Sequence, residues 1–156
     1  MKKLLFLLVI VVLATLELVW PSFLNFFSCK PDLLLVFTVA LVFYTDFRTA
    51  LLLGALCGLT KDAFLPWGPA INALCFSLWS YAVHRISRQI STEENYVRLG
   101  IVLVVSLFNN LVIGLYSLTS GIMLPAGIFL RNLILISIYT VIISPLIFKL
   151  TKKIAA

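Results

Sequence analysis

Six apolar runs, separated only by short polar or turn segments, occupy most of this chain, at roughly residues 4–20, 32–45, 48–60, 69–84, 97–118 and 126–148. Such runs constrain the fold because a single soluble core in 156 residues cannot shelter them: 62% of the residues are hydrophobic and 12% charged, against about 45–50% and about 25% in soluble domains. A bilayer can accommodate them. Each crossing of a hydrocarbon layer about 30 Å thick takes about 20 residues at about 1.5 Å per residue. Six crossings therefore consume about 120 residues and leave no room for a separate catalytic domain. The expected fold class is an all-α integral membrane protein with six transmembrane helices and short loops, forming a single transmembrane domain over 1–156.

The charges set the expected orientation. The run 33–60 can be one kinked helix or two short spans meeting at Tyr44-Thr45-Asp46-Phe47-Arg48. With two spans and Lys2 and Lys3 inside, the inner set also holds Arg48, Arg85, Arg88, Arg98, Lys149, Lys152 and Lys153, nine of the twelve basic residues. Lys30, Lys61 and Arg131 then fall on the outer half. A merged span would move the basic 84–98 loop and the C-terminal tail outside, against the excess of Lys and Arg that cytoplasmic loops carry. Both termini are therefore expected in the cytoplasm. The net charge of +6 reads as orientation, not as a nucleic-acid surface.

Local signals place the ends of the spans. The first run, about 17 residues closed by Trp20 and Pro21, exceeds the 7–15 residues of a signal-peptide core and lacks a following small-residue cleavage pattern, so it reads as a span. Ser91-Thr92-Glu93-Glu94 reads as a capping box, with a helix starting at Ser91 and leading into span five. Pro125 suits the first position of span six, and Pro145 is expected to kink it near its inner end. Gly121 lies in the outer turn between them.

Few residues offer chemistry. The three cysteines have no metal or redox spacing, and Cys57 and Cys75 sit within apolar runs as small fillers. His84 is the only histidine and lies at the inner end of span four. No nucleophile–base pair or phosphate-cradling glycine loop accompanies it, so no catalytic, cofactor-binding or metal-binding residues are expected, and no enzymatic activity.

Ionisable groups inside spans mark pairs or pathways. Glu17 and Arg131 have comparable expected depth near the outer face, so Glu17 or Asp62 could pair with Arg131; snorkelling to the headgroups is the alternative. Ala50, Gly54 and Gly58 recur every four residues and form a small-residue face for close helix packing, against another span of the same chain more often than against a second protein. Asn109 and Asn110, near mid-membrane, are expected to hydrogen-bond across a helix interface.

The pattern Lys30-Pro31-Asp32-Leu33-Leu34-Leu35, Gly54-x3-Gly58-Leu59-x2-Asp62, Gly68-Pro69-x2-Asn72-Ala73 resembles the rod shape-determining protein MreD family. Length, span number, the basic loop after span four and the lysine-ended tail agree with it over the whole chain. Thr60-Lys61 departs from the apolar residues usual before Asp62, and Ala70-Ile71 from the usual Leu-Gly. In physical terms Pro31 suits a helix start, and Asp32 complements the positive end of the helix dipole. Asp62, Gly68 and Asn72 shape the outer turn, with Asn72 able to bond backbone groups near Pro69.

The resemblance implies a non-enzymatic protein of the bacterial inner membrane, multi-pass, serving cell shape and peptidoglycan synthesis in the elongation complex. The partners it implies are MreC, the MreB filament, RodA and a class B penicillin-binding transpeptidase. The expected mode is a scaffold that takes a single-span partner such as MreC into an intramembrane groove on the Gly54/Gly58 face, with the 84–98 segment touching anionic lipid. A competing expectation is the substrate-capturing S component of an energy-coupling-factor vitamin transporter, with an outer pocket lined by Trp20, Trp67 and Asn72. The Ala-x-x-x-Ala docking motif common in the first span of those proteins is missing around Ala14.

Overall fold

The computed structural model of the protein describes residues 2–25, 29–64 and 70–156. Six α-helices follow one another: α1 (Lys2–Leu18), α2 (Leu33–Tyr44), α3 (Phe47–Ala63), α4 (Ile71–Gln89), α5 (Asn95–Thr119) and α6 (Ala126–Ala155), with a 3-10 turn at Ser22–Leu24. No strand occurs among the described residues. Gly68, together with Leu65, Pro66, Trp67 and Pro69, lies outside the described residues.

The centre of the molecule is α2. Every residue from Leu33 to Val42 is buried, and α2 touches all five other helices. A helix that is apolar around its whole circumference is stable only when it is enclosed on every side, and Leu33-Leu34-Leu35-Val36-Phe37 gives it no polar face. Asp32 starts it: the side-chain Oδ1 accepts the Leu35 amide at 3.1 Å, satisfying one of the donors that a helix start leaves free. Thr45 and Asp46, both extended, then separate α2 from α3, so the 33–60 run forms two helices.

Outside this centre the usual distribution of apolar residues inverts. Leu4, Leu8 and Val11 of α1, Phe108 and Leu115 of α5 and Ile142 and Leu146 of α6 are exposed. Thr38, Ser80, Ser106, Ser137, Thr140 and Ser144 are buried. Each of these hydroxyls has a partner, several of them the carbonyl one turn back in the same helix, so burial leaves none unsatisfied. Among the described residues, α5 and α6 are long and apolar enough to cross a membrane.

Several boundaries differ from the sequence reading. The 91–94 segment is not a capping box: α5 begins at Asn95 with Glu94 at the N-cap and no side-chain cap bond. Arg98 organises that segment instead, its Nε donating to the Thr92 carbonyl at 2.6 Å and its guanidinium to the Tyr44 hydroxyl at 2.8 Å. α4 runs five residues past the expected 84, to Gln89. α6 continues through Pro145 to Ala155. Proline at 145 leaves the Val141 carbonyl without its usual amide, and the Ser144 hydroxyl donates to that carbonyl at 2.7 Å.

The turn after α5 is closed by Gly121 at φ 85°. The Ile122 amide reaches the Ser117 carbonyl at 3.1 Å and the Gly121 amide the Leu118 carbonyl at 3.3 Å, the bond pair of a Schellman closure. At the opposite end of α6, the Lys2 ammonium donates to the Ala155 and Ala156 carbonyls at 3.1 and 2.9 Å, so both termini lie at one end of the bundle.

Candidate functional site

The end of the bundle away from the termini gathers most of the charge buried within it. Three helices contribute. Lys61, near the end of α3, places its ammonium 2.5 Å from Asp32 Oδ2 and 3.3 Å from Glu17 Oε1. The remaining carboxylate oxygens are also occupied: Asp32 Oδ1 caps α2 through Leu35, and Glu17 Oε2 accepts the Leu34 amide at 3.4 Å. The Asp32 amide donates to Thr140 Oγ1 of α6 at 3.1 Å. One ammonium and two carboxylates thus tie α1, α2 and α3 together, with α6 joined through Thr140. With its carboxylates ionised the triad carries a formal charge of −1.

This geometry corrects the ion pair expected from sequence. Glu17 meets Lys61, not Arg131, and Arg131 is exposed on the first turns of α6. Asp62 does not reach Arg131 either; both its oxygens serve the start of α4. Oδ1 accepts the Asn72 backbone amide at 3.1 Å and Asn72 Nδ2 at 2.8 Å, and Oδ2 accepts the Ala73 amide at 3.0 Å. Residue 70, the N-cap position of α4, is an alanine with no capping side chain, so a carboxylate from the preceding helix satisfies these amides and complements the helix dipole. The Asn72 side chain donates to Asp62; residue 69, near which a backbone bond is expected from sequence, lies outside the described residues.

The glycine face explains why α3 and α4 meet so closely. A Cβ on Gly58 would come within 2.5 Å of the Ala73 nitrogen and the Asn72 carbonyl oxygen, and one on Gly54 within 2.5 Å of Ser80 Oγ. Ala50, on the same face, is fully buried. The face is therefore covered by α4 of the same chain, the intramolecular packing expected of it, and is not open as a groove for a partner helix. Gly58, Asp62 and Asn72, scattered in sequence, form a single junction: the glycine brings the helices together and the carboxylate fastens them. Pro31, buried beside Asp32, belongs to the neighbouring α2 junction.

A cavity of about 330 Å³ opens beside the triad. Glu17, Asp32, Lys61, Lys30, Asn72 and Asn110 are its polar lining, and Leu18, Ile113 and Ile136 are among its apolar walls. Trp20 is not among the lining residues, although Asn72 is, and Trp67 lies outside the described residues. The described lining supplies carboxylates, ammonium groups and amides, with no thiol, imidazole or hydroxyl nucleophile. Among the described residues there is also no cluster of three metal-ligating side chains.

The other residues singled out from sequence make contacts of their own. Asn109 Oδ1 accepts from Trp79 Nε1 at 3.1 Å, and Asn110 Nδ2 donates to Ser137 Oγ at 3.3 Å, so both amides bond across helix interfaces. His84 packs on Phe47 with ring centroids 4.5 Å apart. Cys29, Cys57 and Cys75 are buried, and the Cys29 thiol lies 3.6 Å from Asn132 Oδ1.

The sequence reading missed Lys61 as the centre of the site. A signal was present: 54, 58 and 61 are separated by four and three residues, which places Lys61 beside the packed glycine face and turned inward. Gly114 was missed as well, and a Cβ there would overlap the Phe129 ring, which seats α5 against α6.

A family model described as rod shape-determining protein MreD matches residues 1–154. No curated protein and no solved structure gives a significant match.

Proposed function

The chain belongs to the rod shape-determining protein MreD family, a family of membrane proteins, and from that premise we propose that it is a non-enzymatic scaffold of the bacterial cell-elongation complex. In this reading it is a multi-pass protein of the inner membrane. All six helices cross as one domain over 1–156, and both termini face the cytoplasm. It binds a single-span MreC-type partner and acts with the MreB filament, RodA and a class B penicillin-binding transpeptidase to support peptidoglycan synthesis and cell shape. The observation that carries the reading is the family match over all but the last two residues. The adjacency of Lys2 to the C-terminal carbonyls and the basic inner set support the orientation.

The partner's helix rests on a face other than that of Gly54 and Gly58, because α4 already occupies it. Depleting the protein in its rod-shaped host is expected to give rounded cells that the wild-type gene restores, and an affinity-tagged copy should co-purify the MreC-type partner. Cells that keep their rod shape after depletion, with no such partner recovered, would overturn the scaffold role. The vitamin-transporter alternative draws on the Asn72-lined cavity. It predicts co-purification with a transporter ATPase instead.

A further inference from the structure

The cavity beside the triad contains an acceptor that the protein does not use. Asn72 is 3% exposed and lines the cavity, yet its Oδ1 has no hydrogen-bond partner. The identity of that atom follows from the network, since the other end of the amide must be the nitrogen that donates to Asp62 Oδ1. A buried acceptor left without a donor is costly. The carboxylates of Glu17 and Asp32 have no such deficit, because each of their oxygens already accepts a bond or an ion pair.

The charges around this acceptor are sorted by depth. Inside, Lys61 is outnumbered by Glu17 and Asp32 in the cavity lining, and the Asp62 carboxylate contacts the Asn72 side chain itself, so the interior is net negative. At the exposed side of the same cavity stands Lys30. Leu18, Ile113 and Ile136 make the walls apolar. A volume of about 330 Å³ suits a compact head group. A fitting occupant offers a hydrogen-bond donor bearing positive charge to the interior, an anion to Lys30 and an apolar remainder to the walls.

We infer that this cavity binds an ammonium–phosphate zwitterion, the head of a phosphatidylethanolamine-type lipid, whose primary ammonium donates to Asn72 Oδ1 and whose phosphate meets Lys30. A trimethylammonium head has no N–H for Asn72, and a glycerol head has no cation for the negative interior. The inference rests on placement in a membrane and is independent of the scaffold role.

The test is lipid retention by the full chain, purified from nanodiscs holding equal amounts of phosphatidylethanolamine, phosphatidylcholine and phosphatidylglycerol and read by native mass spectrometry. Phosphatidylethanolamine should be retained roughly tenfold over phosphatidylcholine, the effect of one unmade buried hydrogen bond. Asn72→Leu should abolish that preference. Lys30→Ala, at an exposed position where folding is not at stake, should weaken retention of the lipid. Competition by soluble glycerophosphoethanolamine separates the sources: displacement at matched concentration assigns the site to the head group alone, and no displacement assigns it to the whole lipid. Equal retention of the ethanolamine and choline lipids would overturn the inference. So would variants that keep the lipid but lose a co-purified protein, because the occupant would then be a polypeptide.

Discussion

Lys61 is the residue on which the charged end of the molecule depends. Its ammonium neutralises one of two carboxylates that sit against helix starts, and removing it leaves Glu17 and Asp32 facing each other with no cation between them. Breaking a buried ion pair by deleting one partner costs about 3 kcal/mol or more, so Lys61→Met should lower the thermal midpoint in detergent sharply. Adding Glu17→Gln should recover part of the loss, since one of the two repelling charges is gone. Arg131→Leu, at an exposed site outside the triad, should change stability by no more than about 0.5 kcal/mol, and a larger loss would restore the pairing expected from sequence. Asp32 was legible in the sequence as a helix-start residue because capping is a local property. Depth estimates from span boundaries do not identify the partner of Glu17, because they place Lys61 and Arg131 equally near the outer face; the spacing of 54, 58 and 61, which turns Lys61 inward, is the signal that separates them.

At the scale of elements, the α3–α4 junction shows how a scattered motif becomes one contact. Gly58 permits the approach and Asp62 supplies the cap that Ala70 lacks. Asp62→Ala should therefore cost about 1–2 kcal/mol, the worth of a helix cap, seen in a melt and in faster hydrogen exchange at the first amides of α4. Gly58→Leu drives a side chain into the Asn72–Ala73 backbone. It should reduce the amount of folded protein recovered, with loss of any bound partner following from unfolding and not preceding it. Helix number and order were readable from apolar runs and charge placement, and the split of 33–60 into α2 and α3 followed from charge alone. The start of α5 was not readable. A capping-box pattern at Ser91 competes with the Arg98 clamp on Thr92 and Tyr44, and that clamp depends on the end of α2, 54 residues away from Arg98 in sequence.

For the whole molecule, the proposed topology is directly measurable. Reporter fusions at the C-terminus and at Gly121 should report opposite compartments, cytoplasmic for the first and external for the second, and the same compartment for both would refute it. Enclosure of α2 has a further consequence, for how the protein is made. At 12 residues this helix is about 18 Å long, too short to settle across a bilayer by its own affinity for lipid, and its walls come from both directions along the chain. α1 precedes it, but α6, one of its most extensive neighbours, is synthesised last. During biosynthesis α2 must therefore remain in provisional company, beside the insertion machinery or paired with α3, until about eighty further residues have emerged. The innermost element of the finished bundle is among the first to be translated and the last to reach its final surroundings.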